Sequence, residues 1–297
     1  MKTLLTMFCF FRNFPVIISA AIIVFSSCDS DSHSRGNTIV EGSDPIPLVF
    51  ADGSNISTAI DVPEGYVRSV VTSNSFAEYL RKLPLKPSGS PVLRHNGELK
   101  DNQNAHVAVV DLPIGRKNLH QCADAAMRLR AEYLWKRGLY SKIHFNFTSG
   151  FRADYSKWME GYRIVMNGND ARWVKSAAAS NSYDSFWKYL EMVFSYAGSL
   201  SLSKELKAVG LDEMEIGDIF IRGGTPGHVV MVVDMAVQPQ SGQKLFLLAQ
   251  SFMPAQEIEI LKNPNSNSLS PWYSLDFKGD LQTPDWLFYR NELKRFN

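Results

Sequence analysis

Residues 219–234 read IFIRGGTPGHVVMVVD: a short apolar run, a turn built from Gly223, Gly224, Thr225, Pro226 and Gly227, and a longer apolar run opened by His228. β-Branched and aromatic residues on both sides of a glycine- and proline-rich turn are the pattern of two strands and their connection. Two more runs of this kind follow, at 244–249 beyond the polar turn 238–243, and at 256–261. Four β-rich runs joined by turns rather than helices predict an antiparallel meander in the C-terminal third.

Upstream the periodicity changes. Residues 119–137 (LHQCADAAMRLRAEYLWKR) are strong helix formers throughout, with Asn118 placed to cap the start and Gly138 to end it. Cys122, Ala126, Leu129 and Tyr133 share one face of that helix. A second amphipathic helix is expected over 183–197, with Phe186, Leu190, Val193 and Ala197 in register. Nearer the N-terminus, Ser73-Asn74-Ser75 precede a short helix at 76–83 that Pro84 stops. Asn96-Gly97, between 92–95 and 98–100, is a type I′ hairpin signal, and HVAVVD at 106–111 reads as a strand. Helices followed by a meander give an α+β fold, helices packed on an antiparallel sheet with an N-terminal strand and helix extension.

At 297 residues and 45% hydrophobic content the chain can bury a sizeable core, which excludes disorder, collagen and coiled coil. Lys and Arg number 31 against 30 Asp and Glu, so no global field draws in nucleic acid or an acidic membrane, and any partner is read by a local site. Lys2 and Arg12 precede FPVIISAAIIVF (14–25), the length of a signal-peptide core and too short to span a bilayer comfortably. The run ends in Phe25-Ser26-Ser27-Cys28, which resembles a bacterial lipobox and implies cleavage before Cys28 and a lipid anchor on it. The polar, acidic tract that follows resembles the surface-export signal of Bacteroidetes lipoproteins and reads as a flexible tether. The expected organisation is a signal peptide over 1–27, a tether over 28–45 and one globular domain over 46–297, with a subregion boundary near 115. The expected location is the cell envelope, lipid-anchored to the outer membrane on its periplasmic or surface face.

Once the signal is removed, Cys122 is the one thiol left in the folded domain, and an unpaired thiol in an exported protein calls for a reason. In the first turn of a helix, below Arg116 and Lys117, it would be stabilised as a thiolate nucleophile. On the apolar stripe of the same helix it would instead be a small buried hydrophobe. His228, opening an apolar strand after a turn, stands where a base for a thiol would sit, or is a hydrogen-bonded strand-start histidine. His106, with Asp111 on the strand leading into the Cys122 loop, is a rival base. Trp158 and Arg163 are candidate contacts for a substrate that carries a carboxylate, whereas Phe145 and Phe147 read as core. The six histidines (33, 95, 106, 120, 144, 228) lack H-x-x-x-H and H-E-x-x-H spacing, and Cys122 has no C-x-x-C partner. With no P-loop, dinucleotide fingerprint or basic stripe, the expectation is no metal, no cofactor and no nucleic acid.

The order of a cysteine at a helix start, a GDIF turn, GHVVMVV on a strand and a further strand ending in a polar residue resembles the NlpC-type cell-wall endopeptidases of the papain-like superfamily, over residues 115–262. The resemblance implies a papain-like core, Cys122 as nucleophile, His228 as base and Gln250 as the orienting group. Gln121-Cys122-Ala123-Asp124 differs from the Asp-Cys-Ser-Gly start typical of those enzymes, and Arg116 stands where papain-like proteases carry a glutamine. The Cys122 amide with Gln121 or Arg116 would then serve the oxyanion. Through LPLKPSGSPVL, QCADAAMRLRAEYLW, GDIFIRGGTPGH and LLAQSFMPAQ the chain is also similar to a family of uncharacterised Bacteroidetes lipoproteins, which implies an export route and a domain extent but no activity. Two functions remain open: a cysteine amidase or endopeptidase acting on cell-wall peptide or a related amide, and a non-catalytic envelope lipoprotein that binds glycan or peptide with Cys122 buried.

Overall fold

In the computed structural model, which describes residues 48–297, the apolar run of the turn motif becomes the central strand of a nine-stranded antiparallel sheet. The segments expected to form a signal peptide, an anchor at Cys28 and a tether lie outside the described residues. In chain order the strands are β1 (Val67–Arg68), β2 (His106–Val109), β3 (Lys207–Ala208), β4 (Ile219–Arg222), β5 (His228–Val237), β6 (Lys244–Gln250), β7 (Glu259–Leu261), β8 (Tyr273–Ser274) and β9 (Leu293–Arg295). Across the sheet the order is β2-β7-β6-β5-β4-β9-β3, with β1 added alongside β5 and β8 alongside β6.

β5 reads as nearly continuous hydrophobicity because both faces of the sheet are covered. Val229, Met231, Val233 and Ala236 pack on the helical side, while Val230, Val232 and Met235 join Phe246, Leu248, Phe288 and Leu293 on the other. The parity slips between Val233 and Met235 because the β5–β6 ladder is irregular at Leu247/Leu248, where Leu247 faces Asp234 and Leu248 faces Val232.

The helical layer holds α1 (Phe76–Arg81), α2 (Cys122–Lys136), α3 (Tyr183–Tyr196) and α4 (Ser199–Glu205). α3 matches its amphipathic pattern, with Ser182 as cap and Phe186, Leu190 and Val193 buried. α2 begins at Cys122, three residues later than expected. Asn118 does not cap it, because its Oδ1 accepts the Ala255 amide at 2.7 Å and so ties the preceding loop to the segment after β6. Gln121 is the cap residue, and its amide donates to Asp124 Oδ2 at 3.0 Å.

Other departures have the same origin in tertiary pairing. Asn96-Gly97 makes its turn, but the flanks form only the bridge Leu93–Leu99, because Arg94 pairs instead with Gln256. The run at 256–261 is strand only from Glu259, and that at 106–111 only to Val109. An unexpected hairpin, Tyr162–Asn167 with Asp170–Lys175, follows the short helix Tyr155–Met159. Among the described residues no helix is long and apolar enough to cross a membrane.

Candidate functional site

Cys122 is the first residue of α2, and the chain before it is stitched to the chain after β6. Ser251 Oγ lies 2.9 Å from the His120 carbonyl and 2.8 Å from the Gln256 carbonyl. The fully buried His120 contacts the Gln256 carbonyl through Nδ1 at 3.3 Å, and Arg128 donates to its Nε2 at 3.4 Å. Burial, reinforced by the Arg128 charge, holds that imidazole neutral, with its pKa down to about 3. These contacts bring the helix start and the C-terminal end of β6 to opposite sides of one cleft.

The cleft, about 640 Å³, is lined by Gln121, Cys122, Asp124, His228, Phe252 and Trp286, and by the turn 224–227. Gly227 closes its wall: a Cβ there would lie 2.4 Å from Ser199 Oγ and 2.4 Å from the Gly224 carbonyl. The backbone amides of Ala123 and Val229 face the thiol and favour its thiolate, but burial, aided by the Asp124 charge, prevails and pushes the thiol up to about 11. Burial likewise pushes Asp124 up to about 8, against the hydrogen bond from Gln121.

His228 is buried on β5 between Phe252, Trp286 and Phe288, with ring centroids 4.9, 5.3 and 5.8 Å away. Its Nε2 lies 2.7 Å from Gln250 Oε1. Gln250 Nε2 donates to Glu259 Oε1 and to Asp285 Oδ2, both at 2.8 Å. Two carboxylates claim the NH₂ side of the carboxamide, so its oxygen faces the imidazole, and Nε2 of His228 must carry the hydrogen. Nδ1 is then the free acceptor. Burial lowers the imidazole to about 4, although Gln250 and Asp285 favour its charged form. No hydrogen bond joins Cys122 to His228 among the described residues.

The structure thus brings Gln121, Cys122 and His228 to one cleft and sets Gln250 behind His228. It does not bring the other candidates there. His106 lies beyond Glu259, its ring nitrogens directed at the Ser90 carbonyl and at Glu259. Trp158 is core, donating through Nε1 to Ser185 Oγ, and Arg163 stacks 4.3 Å over it while donating to the Trp158 and Tyr162 carbonyls. Sequence reasoning missed Asp124, Lys100, Glu259, Asp285 and Trp286. A buried glutamate between Ile258 and Ile260 is a signal that could have been read, whereas Asp285 and Trp286 lie in a segment without periodicity. No group of three or more His, Cys, Asp or Glu side chains suited to a metal occurs among the described residues.

No curated protein and no solved structure matches the chain. A family model described as a domain of unknown function (DUF4846) matches residues 56–295, a span that contains every residue of the cleft and of the network behind it, and the chain belongs to that family.

Proposed function

We propose that this protein is an exported cysteine amide hydrolase with a papain-like core, acting on cell-wall peptide or a related amide. The observation that carries the reading is the tautomer lock on His228: Gln250 fixes the hydrogen on Nε2 and leaves Nδ1 as a proton acceptor on a cleft that also holds a thiol. A thiol at about 11 and an imidazole at about 4 make the resting site a neutral pair, so proton transfer accompanies attack rather than preceding it. The Sγ–C bond forms as the thiol proton passes to Nδ1 and the carbonyl π electrons move to oxygen. On collapse the C–N bond breaks, the leaving amine takes the proton from Nδ1, and water activated at the same nitrogen hydrolyses the thioester. The amides facing Sγ support the developing thiolate, and Gln121 with the Cys122 amide offers donors to the oxyanion. Export, anchoring at Cys28 and an outer-membrane location belong to the same reading and rest on the N-terminal sequence.

A second reading, an envelope module that binds peptide or glycan without cleaving it, is favoured by the raised thiol and the missing thiol–imidazole hydrogen bond. Alkylation of the native full-length chain by iodoacetamide, followed at the Cys122 peptide by mass spectrometry, separates the two. A labelling rate at pH 7 that falls by about tenfold or more in His228→Ala supports the hydrolase. A thiol that reacts only after denaturation overturns it and leaves the binding module.

A further inference from the structure

Behind Gln250 lies a charged cluster that the proposed reaction does not use directly. Lys100 Nζ is 2.5 Å from Glu259 Oε1 and 2.6 Å from Asp285 Oδ2. Asn102 donates to Asp285 Oδ1 at 2.8 Å, and Gln256 to Glu259 Oε1 at 3.2 Å. Glu259 is fully buried and Lys100 nearly so. Two ionised carboxylates against one ammonium would leave a net negative charge in a dry place, which protein interiors do not tolerate without compensation.

A place for the compensation lies on the far side of Glu259. Its Oε2 and the Nδ1 of His106 are both buried, both without a hydrogen-bond partner among the described residues, and 3.8 Å apart. His106 Nε2 lies 3.2 Å from the Ser90 carbonyl, which can only accept, so Nε2 carries a hydrogen. In a neutral ring Nδ1 is then a bare lone pair facing a carboxylate oxygen. Two buried acceptors set against each other repel, and a single proton on either one turns the contact into an attraction. The same proton balances the cluster: Lys100 offsets Asp285, and Glu259 with His106 carries no net charge whichever of them holds it.

We propose that Glu259 and His106 hold one proton between them, and that this couple, acting through Gln250, is a positioning device for His228. Its existence is independent of the hydrolase reading; its purpose rests on that reading. Burial raises the Glu259 carboxyl, in keeping with a proton retained there. His106 is thereby a positioning residue behind the base, rather than a second base in the cleft. If His106 is lost, Glu259 ionises beside Lys100, a second negative charge appears behind Gln250, and the imidazolium of His228 forms more readily. The other charged or titratable groups around the couple and His228 are Asp285 and Tyr273 on the cluster side, Arg222 on the neighbouring strand, paired to Glu292, and Cys122 and Asp124 across the cleft.

The test is nitrogen NMR of the full-length protein with labelled histidines, titrated from pH 8 to pH 3 so that the His228 midpoint falls inside the range. In the wild type, His106 Nδ1 is expected to show the signal of a protonated or strongly hydrogen-bonded nitrogen at pH 7, and Glu259→Met, whose side chain has no hydrogen to donate, should turn it into a bare neutral one. His106→Asn, with His106→Gln as a second variant should the first fold poorly, is expected to raise the His228 midpoint by about one pH unit, a tenfold gain in proton affinity. A bare Nδ1 in the wild type overturns the shared proton, and an unmoved His228 midpoint in both variants overturns the positioning role. Neither result depends on turnover: if Cys122 alkylation proves indifferent to His228 while the His106 signal behaves as expected, the hydrolase reading fails and the couple stands.

Discussion

Replacing Gln250 by Leu tests the arrangement at its narrowest point. The substitution nearly conserves volume but removes three hydrogen bonds at once, from His228 Nε2 at 2.7 Å and to Glu259 and Asp285 at 2.8 Å each. Lys100 still serves both carboxylates, so the larger loss falls on the imidazole, whose Nε2–H would point at a methyl group inside an aromatic box. A buried unsatisfied polar group costs about 1–3 kcal/mol, and hydrogen bonds to charged groups contribute about 1.5–3 kcal/mol each. Allowing for the retained lysine and the added apolar contact, the expected loss is about 3 kcal/mol, a large part of the stability of an ordinary domain. The imidazole can relieve part of it by moving its hydrogen to Nδ1, which then faces the cleft as a donor and is useless as a base. Urea unfolding at pH 7 should therefore show the loss of stability, and Cys122 alkylation in the folded variant should equal that of His228→Ala. A Gln250→Leu protein with stability within about 0.5 kcal/mol of wild type and unchanged thiol reactivity would refute the tautomer lock.

Three further outcomes follow from buried charge. Asp234, fully buried at the irregular position of β5, is held by Arg68 at 2.8 Å and Arg81 at 2.7 Å, so Asp234→Ala leaves two guanidinium groups facing each other and should cost about 3–5 kcal/mol in chemical denaturation. His120 and His228 are lowered to about 3 and about 4, so the stability they contribute is full above the ordinary histidine value near 6.5 and is lost as pH falls through those values. Urea midpoints that stay level between pH 7 and pH 4 would contradict their neutral burial. Asp124, raised to about 8, contributes stability that is full below its ordinary value near 3.8 and is lost as pH rises towards 8. Asp124→Asn keeps an acceptor for the Gln121 amide and should be more stable than wild type by about 2 kcal/mol at pH 8, with the difference closing by pH 4 in parallel urea titrations.

What the sequence revealed depended on how local the cause was. The strands β4 to β6 and the helix α3 follow from runs whose own side chains decide them, through β-branched density in one case and a period of 3.6 with a serine cap in the other. The start of α2 does not, because Asn118 is equally suited to cap a helix or to accept the amide of Ala255, and only the folded chain presents that amide. Cys122 and His228 could be singled out because each lies at the end of a legible element, whereas Gln250 came only from the resemblance to NlpC-type endopeptidases. Trp158 and Arg163 looked like a ligand-binding pair because an aromatic next to an arginine has the same composition whether it lines a groove or, as here, stacks over the core. Lys100 and Asp285 are separated from Gln250 by long stretches of chain, and their contacts form only when the segments that carry them fold against Glu259 on β7 and Gln250 on β6.

The same ion pairs explain why the N-terminal segment is part of the site. Arg68 and Arg81 reach Asp234, Lys86 reaches Glu257 at 2.5 Å, and Lys100 reaches Glu259 at 2.5 Å, so each carboxylate in this series is answered by a cation from residues 68–100. Without those cations Asp234 would be a buried, uncompensated charge and Asp285 would stand unanswered beside Glu259, at a cost of several kcal/mol. Charge buried at this expense makes a weak case for stability by itself, since apolar residues of similar size would often do as well. It makes a stronger case for geometry. Lys100 holds Glu259 and Asp285 close enough for one carboxamide to bond to both, that carboxamide has a single orientation as a result, and the orientation decides which nitrogen of His228 is left to face the cleft.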